Sequence, residues 1–363
     1  MSGNARLTPL GELEQGDLEA WRELADASVE PNPFHDPDYV MPAARALGEL
    51  DQVALLVLGD GPGWGACLPV RSYPRWHRLP VRTLASWDHP YSFFRSPLIA
   101  PGLGGDPYET VIAALTDRSR VVGMDVLPES LIAANDDAVE LRSDERAVLR
   151  RHPEPDYLDG VSVKHRREFK RLARQMERAL DAPLEVVDRS DEAGAVETFL
   201  DLEASGWKGR EGTAMASIPA HADFFRNVAR SFAERGAFEL LFLEGGGRPA
   251  AARVSFLAGD GSFSFKIAFD EELRKFSPGR ELELRAMERF HADARRNWMD
   301  SCAQPDNRYI NRLWPDRRRL TTRAYFRPGP AGRVLRAGVA SALAVRERRA
   351  AARDEADQGR SER

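Results

Sequence analysis

The chain has 363 residues with a formal net charge of −5, of which 42% are hydrophobic, 9% aromatic and 30% charged. The hydrophobic content is sufficient to form buried hydrophobic cores, and the composition excludes a disordered or membrane-embedded protein. A chain of this length favours two domains. The N-terminal residues carry no signal or transit pattern, and no apolar run approaches a membrane span, so we expect a cytoplasmic protein. The two cysteines, Cys67 and Cys302, predict neither a disulfide framework nor a metal site.

The first half is predicted to be a mixed α and β unit. Apolar residues return at helical spacing over 13–28 and 37–47, with Asp36 as the N-cap before Pro37. Strand-like runs follow at 52–58, 64–71 and 81–86, and a predicted helix at 106–118 leads to a strand at 120–127. Residues 151–160 contain prolines and no apolar periodicity, so we place a domain boundary there.

The second half begins with a long, basic, amphipathic helix over 161–180, with Ser162 as its N-cap. A strand at 184–187 and helices at 192–206 and 220–235 follow. Residues 238–243, 249–258 and 262–269, separated by glycine turns, predict a three-stranded antiparallel meander. A loop then leads to a helix at 280–297, a strand at 298–302 and a further strand at 320–326.

Positive charge is concentrated in this half. Seven Lys or Arg stand against two acids between Lys164 and Arg178, and seven Arg against Asp316 alone between Arg308 and Arg327. Such a surface attracts an anionic ligand such as coenzyme A, a nucleotide-linked acceptor or tRNA, or it is a solvated helix face. Neither the charge pattern nor any motif points to a DNA partner.

Several segments resemble one family. The helix SVKHRREFKRLARQ, the loop EASGWKGREGTA, the hairpin LEGGGRPAAARVSF and the run SFKIAFDEELRKFSPG are similar to GNAT-like acyltransferases that include the cellulose-biosynthesis acetyltransferases, and distantly to Fem-type aminoacyl transferases. NPFHDPDYV and SPLIAPG in the first half resemble the same group. Where many relatives end with Asp, a glycine and a Tyr-Lys pair, this chain reads MDSCAQPDNRYINRLWPDRRRL. This departure leaves the acceptor open.

The element order and the resemblance predict an α/β fold of tandem GNAT-like domains, each with a mixed, mainly antiparallel, twisted sheet flanked by helices. Residues 1–155 would form an N-terminal domain without a donor site, because the Ser-Pro-Gly element occurs once. Residues 156–330 would form the catalytic domain, and 331–363 a C-terminal helix with a frayed tail. We expect the two sheets to be separate and to pack against each other.

The Ser-Pro-Gly element is the candidate donor site. A glycine-containing loop at a helix N-terminus presents N–H groups and a favourable dipole to a diphosphate. Ser277 can cap the helix, Pro278 suits its first position, Gly279 allows close approach, and Arg280 adds charge. The alternative is an ordinary capped helix start. Because the loop lacks the fuller glycine-rich pattern of typical acetyltransferases, an aminoacyl-tRNA donor stays open beside acyl-coenzyme A. No metal is expected.

Acyl transfer needs a polarised carbonyl and a proton path. The resemblance assigns the first to a backbone N–H within residues 264–268. Asp300 is the candidate general base, and the alternative is a solvent-exposed or capping residue. Lys266, within FSFKIAF, is a candidate for binding an anionic acceptor, or a solvated strand residue.

Further side chains form the candidate acceptor site. Loops place aromatic and cationic side chains against anionic or planar groups, and helical spacing would bring Asn307, Asn311 and Trp314 onto one face. The candidates are Trp207, Lys208, Arg210, Asp270, Asn307, Asn311 and Trp314. For each of them the alternative is a packing, capping or turn residue.

Three functions remain open on the sequence. The first is N- or O-acylation of a small-molecule, sugar or lipid-linked acceptor from acyl-coenzyme A. The second is an aminoacyl-tRNA-dependent transfer in cell-wall or specialised-metabolite biosynthesis. The third is a catalytically silent binding protein on a GNAT scaffold. The oligomeric state is not determined.

Overall fold

The first half of the chain packs helices on both faces of a sheet. The computed structural model describes residues 5–59, 63–77, 79–102, 106–132, 137–151 and 162–361. The strands of this half are β1 Ala5–Pro9, β2 Val53–Leu58, β3 Ala66–Tyr73, β4 Thr83–Ser86, β5 Leu98–Ile99, β6 Val121–Pro128 and β7 Val139–Arg150. Its helices are α1 Gln15–Ala27, α2 Pro37–Ala46 and α3 Pro107–Thr116. The Asp36 side chain caps α2 as predicted, accepting from the N–H of Asp38.

The second half contains the predicted meander between helices. Its helices are α4 Val163–Leu180, α5 Ala195–Ser205, α6 Trp207–Arg210, α7 Pro219–Glu234, α8 Pro278–Ala292, α9 Ile310–Leu313 and α10 Pro330–Ser361. Its strands are β8 Leu184–Asp188, β9 Phe238–Gly245, β10 Arg248–Ala258, β11 Gly261–Phe269, β12 Trp298–Asp300 and β13 Asp316–Phe326. The Ser162 side chain caps α4 as predicted. No helix in the described part of the chain combines the length and the apolarity needed to cross a bilayer.

The strands join edge to edge in one sheet. Within the described residues the order is β1-β2-β3-β4-β6-β13-β7-β12-β11-β10-β9-β8, with β5 beside β3. The pairs β4–β6 and β11–β12 are parallel and the other pairs are antiparallel. The predicted α/β class with a mainly antiparallel sheet is therefore confirmed.

The expectation of two separate sheets is wrong. Strand β12 of the second half pairs with β7 of the first, with Met299 opposite Leu149. Strand β13, although late in the chain, lies between β6 and β7. An unpaired strand edge leaves backbone N–H and C=O groups without partners, and joining the two edges satisfies them. The residue pattern of an individual strand does not show which other strand pairs with its edge.

Two faces of the second-half sheet are covered differently. On one face α4 and α8 pack around Met176, Leu241 and Leu282. On the other, α5 and α7 share a larger core with α1 and α2 of the first half, centred on Phe225 and Phe256. The predicted boundary at 151–160 lies outside the described residues except for Arg151, so the domain limits stay a prediction.

The C-terminal helix extends into the stretch 352–363, whose end the sequence predicts to fray. α10 is helical to Ser361, and fraying of its end stays a prediction. The segment is rich in alanine and arginine, which have high helix propensity, and this favours continuation of the helix.

Candidate functional site

The parallel pair β11–β12 opens after a short contact. Pairing covers Gly261 to Phe263 against Trp298 to Asp300. The chain then turns away at Cys302, which has a positive φ of 50° and donates its N–H to Oδ1 of Asp300 at 2.7 Å. Beyond Phe263 the β12 side of β11 has no strand partner in the described part of the chain. Its backbone groups are therefore available in the gap, which we call the splay.

A β-bulge lies beside the splay. Lys266 pairs with Val254 and Ser264 with Ser255, so Phe265 is the extra residue of β11. Bulges redirect side chains and interrupt the ladder, and they are common next to active sites. The bulge falls within 264–268, the segment that the resemblance singled out for polarising a carbonyl.

The loop after β11 leads into α8 by a strained turn. Ser277 has a φ of 57°, an unusual conformation for a residue with a side chain. The predicted capping role of its hydroxyl is wrong, because the hydroxyl accepts from the Arg280 guanidinium at 2.7 Å and no backbone N–H. The left-handed backbone turns the side chain away from the first helical N–H groups. Pro278 takes the first helical position as predicted.

Gly279 lies against β11. A Cβ at this position would stand 3.4 Å from Cδ1 of Ile267, an ordinary van der Waals contact, so the first turn of α8 packs on the strand without requiring glycine. The Gly279 carbonyl accepts from the Tyr309 hydroxyl at 3.4 Å. Tyr309 thereby connects the start of α8 with the chain that follows β12, across the splay.

A cavity of about 1020 Å³ lies beside this turn. Its walls come from the start of α4, the start of α8 and the segment around α9. The lining residues are Ser162, His165, Phe169, Arg280, Arg308, Tyr309, Asn311, Arg312, Leu313, Trp314 and Pro315. The volume is that of a site for a large cofactor or substrate.

The polar groups of this cavity suit an anion. Among the described side chains, no carboxylate forms an ion pair with Arg280, Arg308 or Arg312. The Arg280 guanidinium lies 4.9 Å from the Phe169 ring, and its Nε is buried without a hydrogen-bond partner in the described part of the chain, as is Nε1 of Trp314. Buried donors without acceptors are costly unless a ligand accepts from them. The N-terminus of α8 adds positive potential.

A polar cluster lies on the opposite face of the sheet. The Lys266 ammonium is 2.7 Å from Oε1 of Glu203 on α5, and Oε2 of Glu203 accepts from the N–H of Met215 at 2.9 Å. The Lys266 ammonium also lies 5.9 Å from the centre of the Tyr91 ring. The Tyr91 hydroxyl is 2.8 Å from Nδ1 of His221 on α7. We call Tyr91, Glu203, His221 and Lys266 the junction cluster.

Burial and neighbouring charges determine the protonation states of Tyr91 and His221 in the junction cluster. Burial, followed by the Glu203 charge, raises the pKa of Tyr91 to about 12. Burial, followed by the Lys266 charge, lowers the pKa of His221 below its usual value of 6.5. At neutral pH the phenol is therefore protonated and the imidazole is neutral.

Tyr91 reaches the junction cluster from the first half. It lies in the segment between β4 and β5. Its carbonyl accepts from the Tyr39 hydroxyl at 2.7 Å, and its ring stacks on Phe224 at 5.1 Å. Core contacts from both halves thus hold the phenol in position.

Asp300 is buried away from both the cavity and the junction cluster. Its exposure is 0%, and Oδ1 lies 3.5 Å from Nη1 of Arg146. Nη1 of Arg318 lies 3.9 Å from Oδ2. The carboxylate therefore ends β12 and compensates guanidinium groups between the two halves.

The predicted acceptor residues are divided between several places. Asn311 and Trp314 meet Arg280 at the cavity, whereas Asn307 caps the chain before α9, with its Oδ1 accepting from Tyr309 N–H at 3.2 Å. The expected helical face joining Asn307, Asn311 and Trp314 is wrong, because α9 covers only Ile310–Leu313. Proline at 315 disfavours a longer helix.

The remaining predicted residues lie elsewhere. Asp270 caps the turn after β11 and pairs with Arg248. Arg210 is exposed at the end of α6. The side chains of Trp207 and Lys208 lie outside the described part of the structure.

Sequence reasoning missed Tyr91, Glu203 and His221. Tyr91 stands in the first half, Glu203 in an ordinary helical pattern, and His221 near a helix start, and no spacing connects them. It also missed His165 and Phe169, whose helical positions gave only an amphipathic signal. The local signal that could have pointed to Tyr91 is the segment DHPYSFFRSP, which combines aromatic, proline and charged residues.

The fold and the splay define an α/β protein with a cavity at the start of a helix. Residues 163–309 match the family model described as an acetyltransferase (GNAT) domain. The predicted family resemblance is thereby confirmed for GNAT, while the link to cellulose biosynthesis stays a prediction. A comparison with curated proteins finds no match.

Three solved structures share the fold across most of the chain. FemX is 10% identical, with 85% of this chain and 96% of FemX covered and a TM-score of 0.54. The C-terminal domain of a protein described as a lysylphosphatidylglycerol synthetase from Agrobacterium fabrum is 10% identical, with 91% and 96% covered and a TM-score of 0.54. L-PGS from Bacillus licheniformis is 12% identical, with 89% and 95% covered and a TM-score of 0.52. At these identities the likeness concerns the fold alone.

Proposed function

We propose that the protein is an acyltransferase that moves an acyl group from acyl-coenzyme A to an amine or hydroxyl of a small-molecule, sugar or lipid-linked acceptor. The GNAT domain at 163–309 supports this reaction class. The observation that supports acyl-coenzyme A as the donor is the cavity at the start of α8, whose lining includes Arg280, Arg308 and Arg312. Guanidinium groups and helix N-termini bind phosphates, which coenzyme A carries.

The donor and acceptor would approach the splay from opposite faces. The cavity lies on the face of α4 and α8, and the junction cluster on the face of α5 and α7. In this arrangement the acyl carbonyl lies against the open edge of β11, where backbone N–H groups near the bulge would stabilise the developing oxyanion. The donor-binding residues and the backbone N–H groups near the bulge would then belong to residues 156–330.

This proposal changes the roles that the sequence suggested for Lys266 and Asp300. Lys266 faces the acceptor side and, held by Glu203, would orient the acceptor rather than take its proton. Asp300 lies 3.5 Å from Arg146 with no exposed surface, which favours positioning β12 and opening the splay over proton transfer. A general base needs direct or water-mediated reach to the nucleophile.

Replacing Arg280 by methionine is expected to weaken coenzyme A binding by about 10- to 100-fold, the usual effect of losing a charged hydrogen bond. Methionine keeps an unbranched chain against Phe169, so the wall of the cavity is preserved. Isothermal titration with coenzyme A measures the change.

The matched control is Arg274→Met, an exposed arginine of the loop before α8. It should leave the dissociation constant unchanged. Equal affinities of the wild type and Arg280→Met would contradict the donor site. Failure of the wild type to bind either coenzyme A or tRNA would favour the silent scaffold.

An aminoacyl-tRNA donor is the second candidate, and one observation favours it. The helix α4 displays an exposed stripe of cations at intervals of three and four residues, which places them on one face over about 20 Å. The stripe consists of Lys164, Arg167, Arg171, Arg174 and Arg178. It begins where α4 lines the cavity, so a polyanion along α4 could place its end there.

Replacing Arg167 and Arg174 together by glutamate tests this candidate. If tRNA lies on the stripe, its affinity should fall and the salt dependence of binding should become shallower by about one unit of slope per lost phosphate contact. Filter binding across a salt series measures both. Arg226→Glu on α7 is the control for charge reversal at an exposed arginine. Unchanged tRNA binding in the double variant would contradict this donor.

A further inference from the structure

The junction cluster contains a hydrogen bond between the two halves of the chain, and the proposed function gives neither of its partners a role. The Tyr91 hydroxyl and Nδ1 of His221 are 2.8 Å apart, yet the two residues belong to different halves of the chain. Tyr91 stacks on Phe224 with ring centres 5.1 Å apart, and His221 lies at the start of α7. Tyr91 also lies within 6.2 Å of Phe265, the bulge residue of β11, measured between ring centres.

We propose that Tyr91 and His221 form the proton relay of the acyl transfer, so that the first half of the chain completes the active site of the second. This inference rests on the proposed function. It assigns the proton-accepting step to residues of the junction cluster rather than to Asp300. Its consequence is that the GNAT domain at 163–309 is catalytically incomplete by itself.

The step balances with groups already present. The acceptor nitrogen or oxygen attacks the thioester carbon, the new bond forms, and the carbon–sulfur bond breaks with its electron pair on sulfur. The proton of the nucleophile passes to the Tyr91 oxygen while the Tyr91 hydroxyl proton passes to Nδ1 of His221. Coenzyme A leaves as the thiolate, and the imidazolium returns its proton to the thiolate or to solvent. The phenol is unchanged after one turnover.

The surroundings keep His221 ready to accept. It faces Tyr91 from the first half, with Lys266 on β11 and Glu203 on α5 in the same cluster and Asp223 on its own helix. Burial and the nearby ammonium lower the pKa of His221. The imidazole is then in its base form at neutral pH, and activity should fall as pH falls through a value below 6.5.

Hydrolysis of acetyl-coenzyme A, with water as the nucleophile, tests the relay without knowledge of the acceptor. His221→Gln should hydrolyse acetyl-coenzyme A about 100-fold more slowly than the wild type, in the range usual for loss of a general base. Its rate should also lose the decline at acidic pH. Tyr91→Phe keeps the ring against Phe224 and removes the hydroxyl, and it should lose activity similarly. Acetyl-coenzyme A affinity, from titration calorimetry, should be unchanged in both variants.

His77→Gln in the first half is the histidine control and should retain the wild-type rate. Equal hydrolysis rates of the wild type, His221→Gln and Tyr91→Phe, including no hydrolysis by any of them, would overturn the relay. Binding and hydrolysis together distinguish failure of the relay from failure of the proposed function. If the wild type binds acetyl-coenzyme A but the variants match its rate, the relay alone is wrong. If the wild type does not bind acetyl-coenzyme A, the proposed function is wrong and the relay falls with it.

Discussion

Replacing Asp300 by alanine is expected to lower the free energy of unfolding by about 3–5 kcal/mol, the usual cost of removing one member of a buried ion pair. The change leaves the guanidinium groups of Arg146 and Arg318 without this carboxylate at the contact between the halves. It also removes the acceptor for the N–H of Cys302, which ends β12. Urea unfolding followed by circular dichroism measures the loss.

The matched control is Asp293→Ala, because Asp293 pairs with the exposed Arg295 at the surface. It should leave stability unchanged within error, as is usual for surface pairs. Asp300→Asn separates structure from chemistry, since the amide oxygen can still accept from Cys302. If that variant keeps its stability but loses turnover about 100-fold, Asp300 is a general base and the positioning role is wrong.

Replacing Lys266 by methionine is expected to destabilise the protein by about 3 kcal/mol. The reason is that Glu203, with only 1% of its side chain exposed, loses the ammonium 2.7 Å from its Oε1. Glu203→Gln should be destabilising in the same direction. The double variant should lose less than the sum of the two single changes, with a coupling energy of at least about 1 kcal/mol.

Arg226→Met provides the comparison, because the Arg226–Glu197 pair has both partners exposed. It should change stability little. Strict additivity of the Lys266 and Glu203 changes would contradict the coupling. Where an acceptor is identified, Lys266→Met should raise its apparent KM with coenzyme A affinity unchanged, as expected for lost ground-state binding.

Local patterns predicted much of the fold and part of the site. The meander, the caps Asp36 and Ser162, and the turn before α8 rest on short-range rules of turns and capping, and the structure contains them. Arg280, Asn311 and Trp314 were chosen from the sequence, and they meet at one cavity. The role of the Ser277 hydroxyl could not be predicted, because it depends on the positive φ that the turn imposes.

The sequence by itself determined the class of the fold, the GNAT resemblance of the second half and the turn that leads into α8, since periodicity, turn residues and motifs act over a few residues. The tertiary structure alone decided which strand edges join, why Asp300 is buried between arginines, and how Tyr91 comes to lie beside His221 and Lys266. These features depend on contacts between residues far apart in the chain, where burial and strand pairing are set by the whole sheet. No local pattern contains that information.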